Sequence, residues 1–272
     1  MKTVLFSDLD DTLVFSQRGL YSHGQKTIGH VVVEERNNSP VGYMAWETYQ
    51  ILHDHAAKVF DFIPTTTRTM RQFQRIQFPQ IQYNCAIILN GAKILIDGQE
   101  DMNWTRMMQE LVLQEEYSPS QVFQQVVNTF STLAGVRAVH DADGFFTYVV
   151  TELGCHQKLE TMIAAIAEDY NQMYSRQGRK HYLIPRPISK GCAVAEIIAH
   201  CDYGYSFAAG DSILDLSMAD EVTEFIVPFH GVNQGNNAGN MKRTCEKGSA
   251  ASVEIVCTVR DHAVCSDSNM TK

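Results

Sequence analysis

Long hydrophobic runs are missing from this sequence. No apolar stretch reaches the roughly 18–20 residues that a membrane-crossing helix needs, and the opening Lys2-Thr3-Val4-Leu5-Phe6-Ser7 lacks the basic, apolar and small-residue order of a secretory signal. Both absences lead to the expectation of a cytoplasmic protein with no membrane partner. Paired cysteines are missing too. The seven cysteines are odd in number, scattered and without a Cys-x-x-Cys pair, which argues against a disulfide scaffold or the usual zinc spacings and for reduced thiols used as small apolar side chains. Excess positive charge is also absent. The formal net charge is −9 with no Lys/Arg-rich block against it, the reverse of what binding to a nucleic-acid backbone requires. What remains is an ordinary globular composition, 44% hydrophobic and 19% charged, in a 272-residue chain long enough for one large or two modest cores.

Short apolar runs read as buried strands at Thr3 to Phe6, Val59 to Ile63, Cys85 to Leu89, Ser206 to Ala209 and Glu224 to Val227. Most are apolar at consecutive positions, which suits a parallel sheet covered on both faces. Helical patterns at about Ala45 to Lys58, Thr69 to Ile76 and Gly191 to Cys201 alternate with them, predicting a doubly wound, Rossmann-like α/β core over residues 1–91 and 186–272. Residues of about 29 to 45 form a hairpin, because two apolar runs flank the turn-rich Asn37-Asn38-Ser39-Pro40. Between residues 92 and 185 the rhythm changes. Helices at about Trp104 to Tyr117 and Ser120 to Leu133, strands at Val136 to His140 and Phe145 to Thr151, a long helix from about His156 to Arg176 and a strand at His181 to Ile184 predict an inserted α+β cap domain. Pro185-Arg186-Pro187 is its stiff return linker.

The chemistry concentrates at strand ends. The first strand runs into Ser7-Asp8-Leu9-Asp10-Asp11-Thr12-Leu13, which sets Asp8 and Asp10 close together at the carboxyl end of a parallel strand. One of two such carboxylates can attack phosphorus, while the other, held protonated by the like charge beside it, donates to a leaving oxygen. An anionic substrate then calls for a divalent cation, and Mg²⁺ suits oxygen ligands. The second strand ends in Pro64-Thr65-Thr66-Thr67-Arg68, which offers a hydroxyl and successive N–H groups as a phosphate cradle or, read locally, a helix cap. Lys190 opens a helix, against the helix dipole, unless phosphate or carboxylates lie nearby. The strand Ser206 to Ala209 exits through Gly210 to Asp211, a metal-ligand position, with Asp215 four residues on along the same helical face.

The order and spacing of these four segments resemble the haloacid dehalogenase superfamily of phosphohydrolases, over about residues 1–91 and 186–230. The resemblance implies Asp8 as nucleophile, Asp10 as general acid and then base, and Thr66, with Thr67 beside it, and Lys190 as phosphate ligands; Thr65 is the alternative hydroxyl. It further implies Asp8, Asp211 and the backbone carbonyl of Asp10 on Mg²⁺, with Asp215 steadying the metal's waters or Lys190. The cap, following Leu89-Asn90-Gly91-Ala92, is similar to that of the subgroup containing sucrose-phosphatase and phosphomannomutase. Two features depart from that subgroup: Thr67 stands where many members have Gly or Ser, and the stretch from Val14 to Ala45 is long, so that the hairpin adds a wall to the site. The expected function is Mg²⁺-dependent hydrolysis of a small phosphorylated metabolite, a sugar phosphate or phosphorylated organic acid. A phosphomutase and a catalytically silent binding module on the same fold are the alternatives. In the cap, Arg176, Arg179, Lys180 and His181 gather positive charge that either is a solvated turn or helps recruit an anionic substrate.

Overall fold

The computed structural model describes residues 2–152, 154, 157–232 and 239–270. It divides into two compact units, one made of Met1–Glu100 with Lys190–Lys272 and the other of Asp101–Ser189. The first begins with β1 (Lys2–Ser7), α1 (Gln17–Ser22), the hairpin β2 (His30–Arg36) and β3 (Ser39–Ala45), α2 (Trp46–His55), β4 (Phe60–Pro64) and α3 (Met70–Phe73). A second antiparallel ribbon follows, β5 (Cys85–Ile88), β6 (Lys93–Ile96) and β7 (Gln99–Glu100).

The inserted unit holds α4 (Met102–Leu113), α5 (Pro119–Phe130), β8 (Val136–Ala142), β9 (Phe146–Thr151), α6 (Gln157–Asp169), β10 (Gln172–Gln177) and β11 (Lys180–Pro185). Its antiparallel sheet has the order β10-β11-β9-β8. Apolar residues of α5 and α6 at helical spacing (Val122, Val126, Phe130, Leu159, Ile163) pack on Val149 and Leu183 to form its own core. Ser118 and Gln121 close a capping box at the start of α5, with Pro119 in the first turn. The long helix expected over about His156 to Arg176 is two elements. His156 lies outside the described residues; α6 ends at Asp169, Asn171 takes a left-handed φ of 52°, and the chain turns back as β10. Asn accepts that conformation more readily than most residues, which is why the reversal falls there.

The chain returns through α7 (Lys190–His200), β12 (Tyr203–Ala209), β13 (Glu224–Val227), β14 (Met241–Arg243) and α8 (Ser249–Met270). The central sheet is wholly parallel, in the order β14-β13-β12-β1-β4, so the first unit is the Rossmann-like α/β core that the sequence pattern predicts. β1 is buried at every position from Thr3 to Ser7. Leu5, Phe60, Phe62 and Phe207 of the sheet pack with Ile255, Val256 and Val259 of α8 in one core. One strand departs from expectation. Cys85–Ile88 lies outside the parallel sheet and pairs antiparallel with β6, keeping only a bridge from Ile87 to Thr65. This antiparallel pairing holds residues 92–100 with the core unit, whereas 186–189 fall in the inserted one. No described helix is long and apolar enough to cross a membrane.

Candidate active site

The register of the central sheet assembles the site. Ser7 pairs with Ala209 on one side and with Pro64 on the other, so the residues that follow, Asp8, Gly210-Asp211 and Thr65-Thr66, leave three neighbouring strands at one level. Asp8 is held by its own N–H, which donates to the Ala209 carbonyl at 2.8 Å. Its side chain is 2% exposed. The Lys190 ammonium, fully buried, donates to Asp8 Oδ1 and to Asp215 Oδ1, both at 2.5 Å. Asp215 is locked in turn, because its Oδ2 accepts from the Ser212 N–H at 2.9 Å and the Ser212 hydroxyl at 2.7 Å. Asp211 takes a long hydrogen bond from Thr12 at 3.4 Å.

Two glycines are required by this packing. A Cβ on Gly210 would stand 2.3 Å from both Cβ and Cγ of Asp215, and one on Gly191 would stand 2.0 Å from the Ser217 carbonyl oxygen. The first would push Asp215 off Lys190. The second would lift α7, and Lys190 with it, away from the turn that carries Asp215.

The charge balance is uneven. Asp8, Asp211 and Asp215 present oxygens within 4.8 Å of one another. Burial pushes the Asp8 carboxyl up to about 8 against the pull of Lys190, with Asp215 and Asp10 adding to the rise. Burial likewise raises Asp211 well above the carboxylate range, helped by Asp8, Asp215 and Asp11. Burial alone would lower Lys190, yet Asp215 and Asp8 hold its ammonium above the usual range. One ammonium thus serves a pocket of three carboxylates. Asp8 Oδ2 is in addition buried without a hydrogen-bond partner, a costly arrangement in the absence of a further positive group. An all-oxygen donor set with a deficit of positive charge fits a hard divalent cation.

The threonine run divides by geometry. Thr65 donates its hydroxyl proton to the Ile63 carbonyl at 3.1 Å, whereas the Thr66 oxygen accepts the Arg68 N–H at 3.2 Å and keeps its own proton to donate. Thr66 is pinned through its backbone by Ile87 and Asn90, and Thr67 is buried beside it.

Asp10 has a partner that the sequence does not suggest. Arg68 grips both of its oxygens, Nε to Oδ2 at 2.8 Å and Nη2 to Oδ1 at 2.6 Å. A guanidinium fork favours the ionised form of a carboxylate, the form that a general base needs. Arg68 also donates to Glu34 of β2 at 2.9 Å. Burial works against the Arg68 charge, but Asp10 and Glu34 outweigh it and raise its basicity. Sequence reasoning missed both residues. Arg68 directly follows the threonine run, a signal that was available; Glu34 has no local signal.

A third missed residue is His230. Its Nε2 donates to the Asp11 carbonyl at 2.8 Å and its Nδ1 accepts the Gly248 N–H at 3.0 Å, which fixes the neutral tautomer, in keeping with a pKa lowered chiefly by burial. It braces the loop behind Asp10. In the inserted unit, two members of the basic cluster have local partners. Arg176 pairs with Glu160, and His181 is buried, with Nδ1 2.7 Å from the Tyr174 hydroxyl. Burial and Arg176 lower its pKa, against the pull of Glu160.

No family model and no curated protein matches the sequence. Solved structures do match over nearly the whole chain. The sucrose-phosphatase of Synechocystis sp. PCC6803, in complex with sucrose and phosphate, aligns with 95% of this chain and 98% of its own at a TM-score of 0.60 and 14% identity. The C-terminal domain of C. albicans trehalose-6-phosphate phosphatase aligns over 96% and 93% at a TM-score of 0.59 and 11% identity. A sugar phosphatase of HAD subclass IIB aligns over 89% and 94% at a TM-score of 0.55 and 12% identity. Identities this low establish the fold and leave the activity to be argued from the site.

Proposed function

We propose, from the capped haloacid dehalogenase phosphatase fold that the chain shares with these structures, that it is a Mg²⁺-dependent phosphate-monoester hydrolase acting on a small phosphorylated metabolite through Asp8. The observation that carries this reading is Asp8 itself: a buried carboxylate with one oxygen on Lys190 and the other unpartnered, in a pocket short of positive charge. Sugar phosphates are the first substrate class to test, since the matched structures are described as phosphatases of sugar phosphates.

Asp8 and Asp211, with the Asp10 backbone carbonyl, would hold the cation, which supplies the positive charge that lets an anionic phosphate approach a carboxylate. Lys190, oriented by Asp215, and the Thr66 hydroxyl bind the phosphoryl oxygens. Asp8 Oδ attacks phosphorus and the bond to the leaving oxygen breaks, that oxygen taking its proton from Asp10. Asp10, now the carboxylate gripped by Arg68, takes a proton from water as the water oxygen attacks the phosphorus of the aspartyl-phosphate, releasing inorganic phosphate and free Asp8. The acid half of the cycle needs one oxygen of the Arg68 fork to be released, while the base half starts from the arrangement described above.

The test is phosphate release from a panel of sugar phosphates, phosphorylated organic acids and p-nitrophenyl phosphate, with Mg²⁺ and with EDTA. Metal-dependent release from at least one ester supports the reading. Isomerised phosphate ester without phosphate release would mark a mutase, and no metal-dependent turnover would leave a binding module.

A further inference from the structure

Asp10 reaches across the site to the hairpin through one chain of charge whose middle is buried. Arg68 holds both Asp10 oxygens and places Nη1 2.9 Å from Glu34 Oε2, while Arg75 Nε lies 2.9 Å from Glu34 Oε1. Asp10, Arg68, Glu34 and Arg75 therefore form a row of alternating sign with no net charge. The middle two are well buried, with Arg68 and Glu34 side chains 8% and 7% exposed. Such a row is rigid only if its far end is anchored.

The hairpin supplies that anchor. Gln77 donates its N–H to Val33 at 2.7 Å, and Phe15 and Tyr43 exchange backbone hydrogen bonds at 2.8 and 2.9 Å, tying β3 to the loop that follows Asp10. Gly42 makes room for the acid: a Cβ there would stand 2.8 Å from Glu34 Cβ. Arg68 is fixed through its backbone as well, its N–H on Thr66 and its carbonyl accepting from Leu89 at 2.9 Å. One guanidinium thus links the threonine run, the acid/base carboxylate and the inserted hairpin.

We propose that Glu34 and Arg68 are positioning residues that set the orientation of Asp10, making the hairpin of β2 and β3 part of the acid/base apparatus. This rests on the phosphatase reading above. Proton transfer requires a donor within hydrogen-bond reach of the leaving oxygen, and a bidentate fork fixes both the distance and the plane of a carboxylate. When one fork bond is released for the acid step, the remaining one holds the plane of Asp10 only while Glu34 fixes Arg68, so neutralising Glu34 should hurt most where the leaving group cannot depart without a proton.

The experiment compares wild type with Glu34→Gln and Arg68→Lys on an alkyl phosphate and on p-nitrophenyl phosphate, reading kcat/KM, which reports the steps through departure of the leaving group. The expected result is a loss of about 10-fold on the alkyl ester and under about 2-fold on the aryl ester for Glu34→Gln, a fraction of the ~10²–10⁴ that acid/base catalysis supplies. Arg68→Lys should behave likewise, since a point charge cannot reproduce the fork. A urea-unfolding cycle with Asp10→Asn, Glu34→Gln and the double variant gives a readout independent of turnover, with non-additive midpoints expected because Arg68 bonds to both residues. Equal losses on both esters, or additive midpoints, overturn the relay. Wild-type protein that hydrolyses neither ester, with the cycle still non-additive, overturns the phosphatase reading instead and removes the catalytic role from the relay.

Discussion

Replacing Lys190 with Met removes the ammonium from a site built around it while keeping the length of the side chain. In the folded protein Lys190 is fully buried and serves Asp8 and Asp215 at 2.5 Å each. Removing one partner of a buried ion pair costs about 3–5 kcal/mol, because the charge left behind has lost its solvation. The cost depends on pH in a direction the site dictates. Burial raises Asp8 from the ordinary 3.8 to about 8, so between those values the folded state binds a proton that the unfolded chain has given up, and stability falls as pH rises through that window. Lys190 pulls this value down; without it the window extends upward, and below it Asp8 escapes the penalty by staying protonated. Urea unfolding in EDTA should therefore show Lys190→Met less stable than wild type by about 3–5 kcal/mol near pH 8.5 and by less than half of that near pH 6. Mg²⁺ should recover part of the loss by binding the native state. A loss under about 1 kcal/mol near pH 8.5, or the same loss at both pH values, would refute the charge balance described here.

Gly210→Ala should lower stability by about 2 kcal/mol or more and weaken Mg²⁺ affinity, since its Cβ would meet Asp215 at 2.3 Å; urea unfolding and metal titration read the two effects. Asp10→Asn should cut turnover by about 10²-fold or more and leave Mg²⁺ affinity close to wild type, whereas Asp211→Asn should lose affinity; comparable losses of affinity would contradict the division of roles. Thr66→Val should lower kcat/KM by about 10-fold and Thr65→Val much less, because the Thr65 hydroxyl is committed to Ile63. Steady-state kinetics on one ester decides between them.

The residues that sequence makes legible are those whose local setting is itself the signal. Asp8, Asp211 and Thr66 follow buried apolar strands, and Lys190 stands at a helix start where the dipole disfavours it, a local conflict that Asp8 and Asp215 resolve. Glu34 and Arg68 are 34 positions apart and meet only once the hairpin folds back, so no window of sequence joins them. Cys85–Ile88 reads as a parallel strand because an apolar run does not reveal its pairing partner, and β6 decides it. Asn171 breaks what looks like one helix, because a single left-handed residue leaves little mark on hydrophobic periodicity. Helix α8 buries Ala251, Ile255, Val256, Val259 and Ala263 at helical spacing, a pattern the sequence also carries.

The most direct test of an Asp8-centred phosphatase is the turnover of Asp8→Asn, a change that keeps the size of the side chain and removes its charge. With protein shown to be folded and free of deamidated Asp8, kcat on the best ester should fall by about 10³-fold or more, equivalent to about 4 kcal/mol of transition-state stabilisation. Turnover within about 10-fold of wild type would contradict the nucleophilic role of Asp8 and the mechanism built on it.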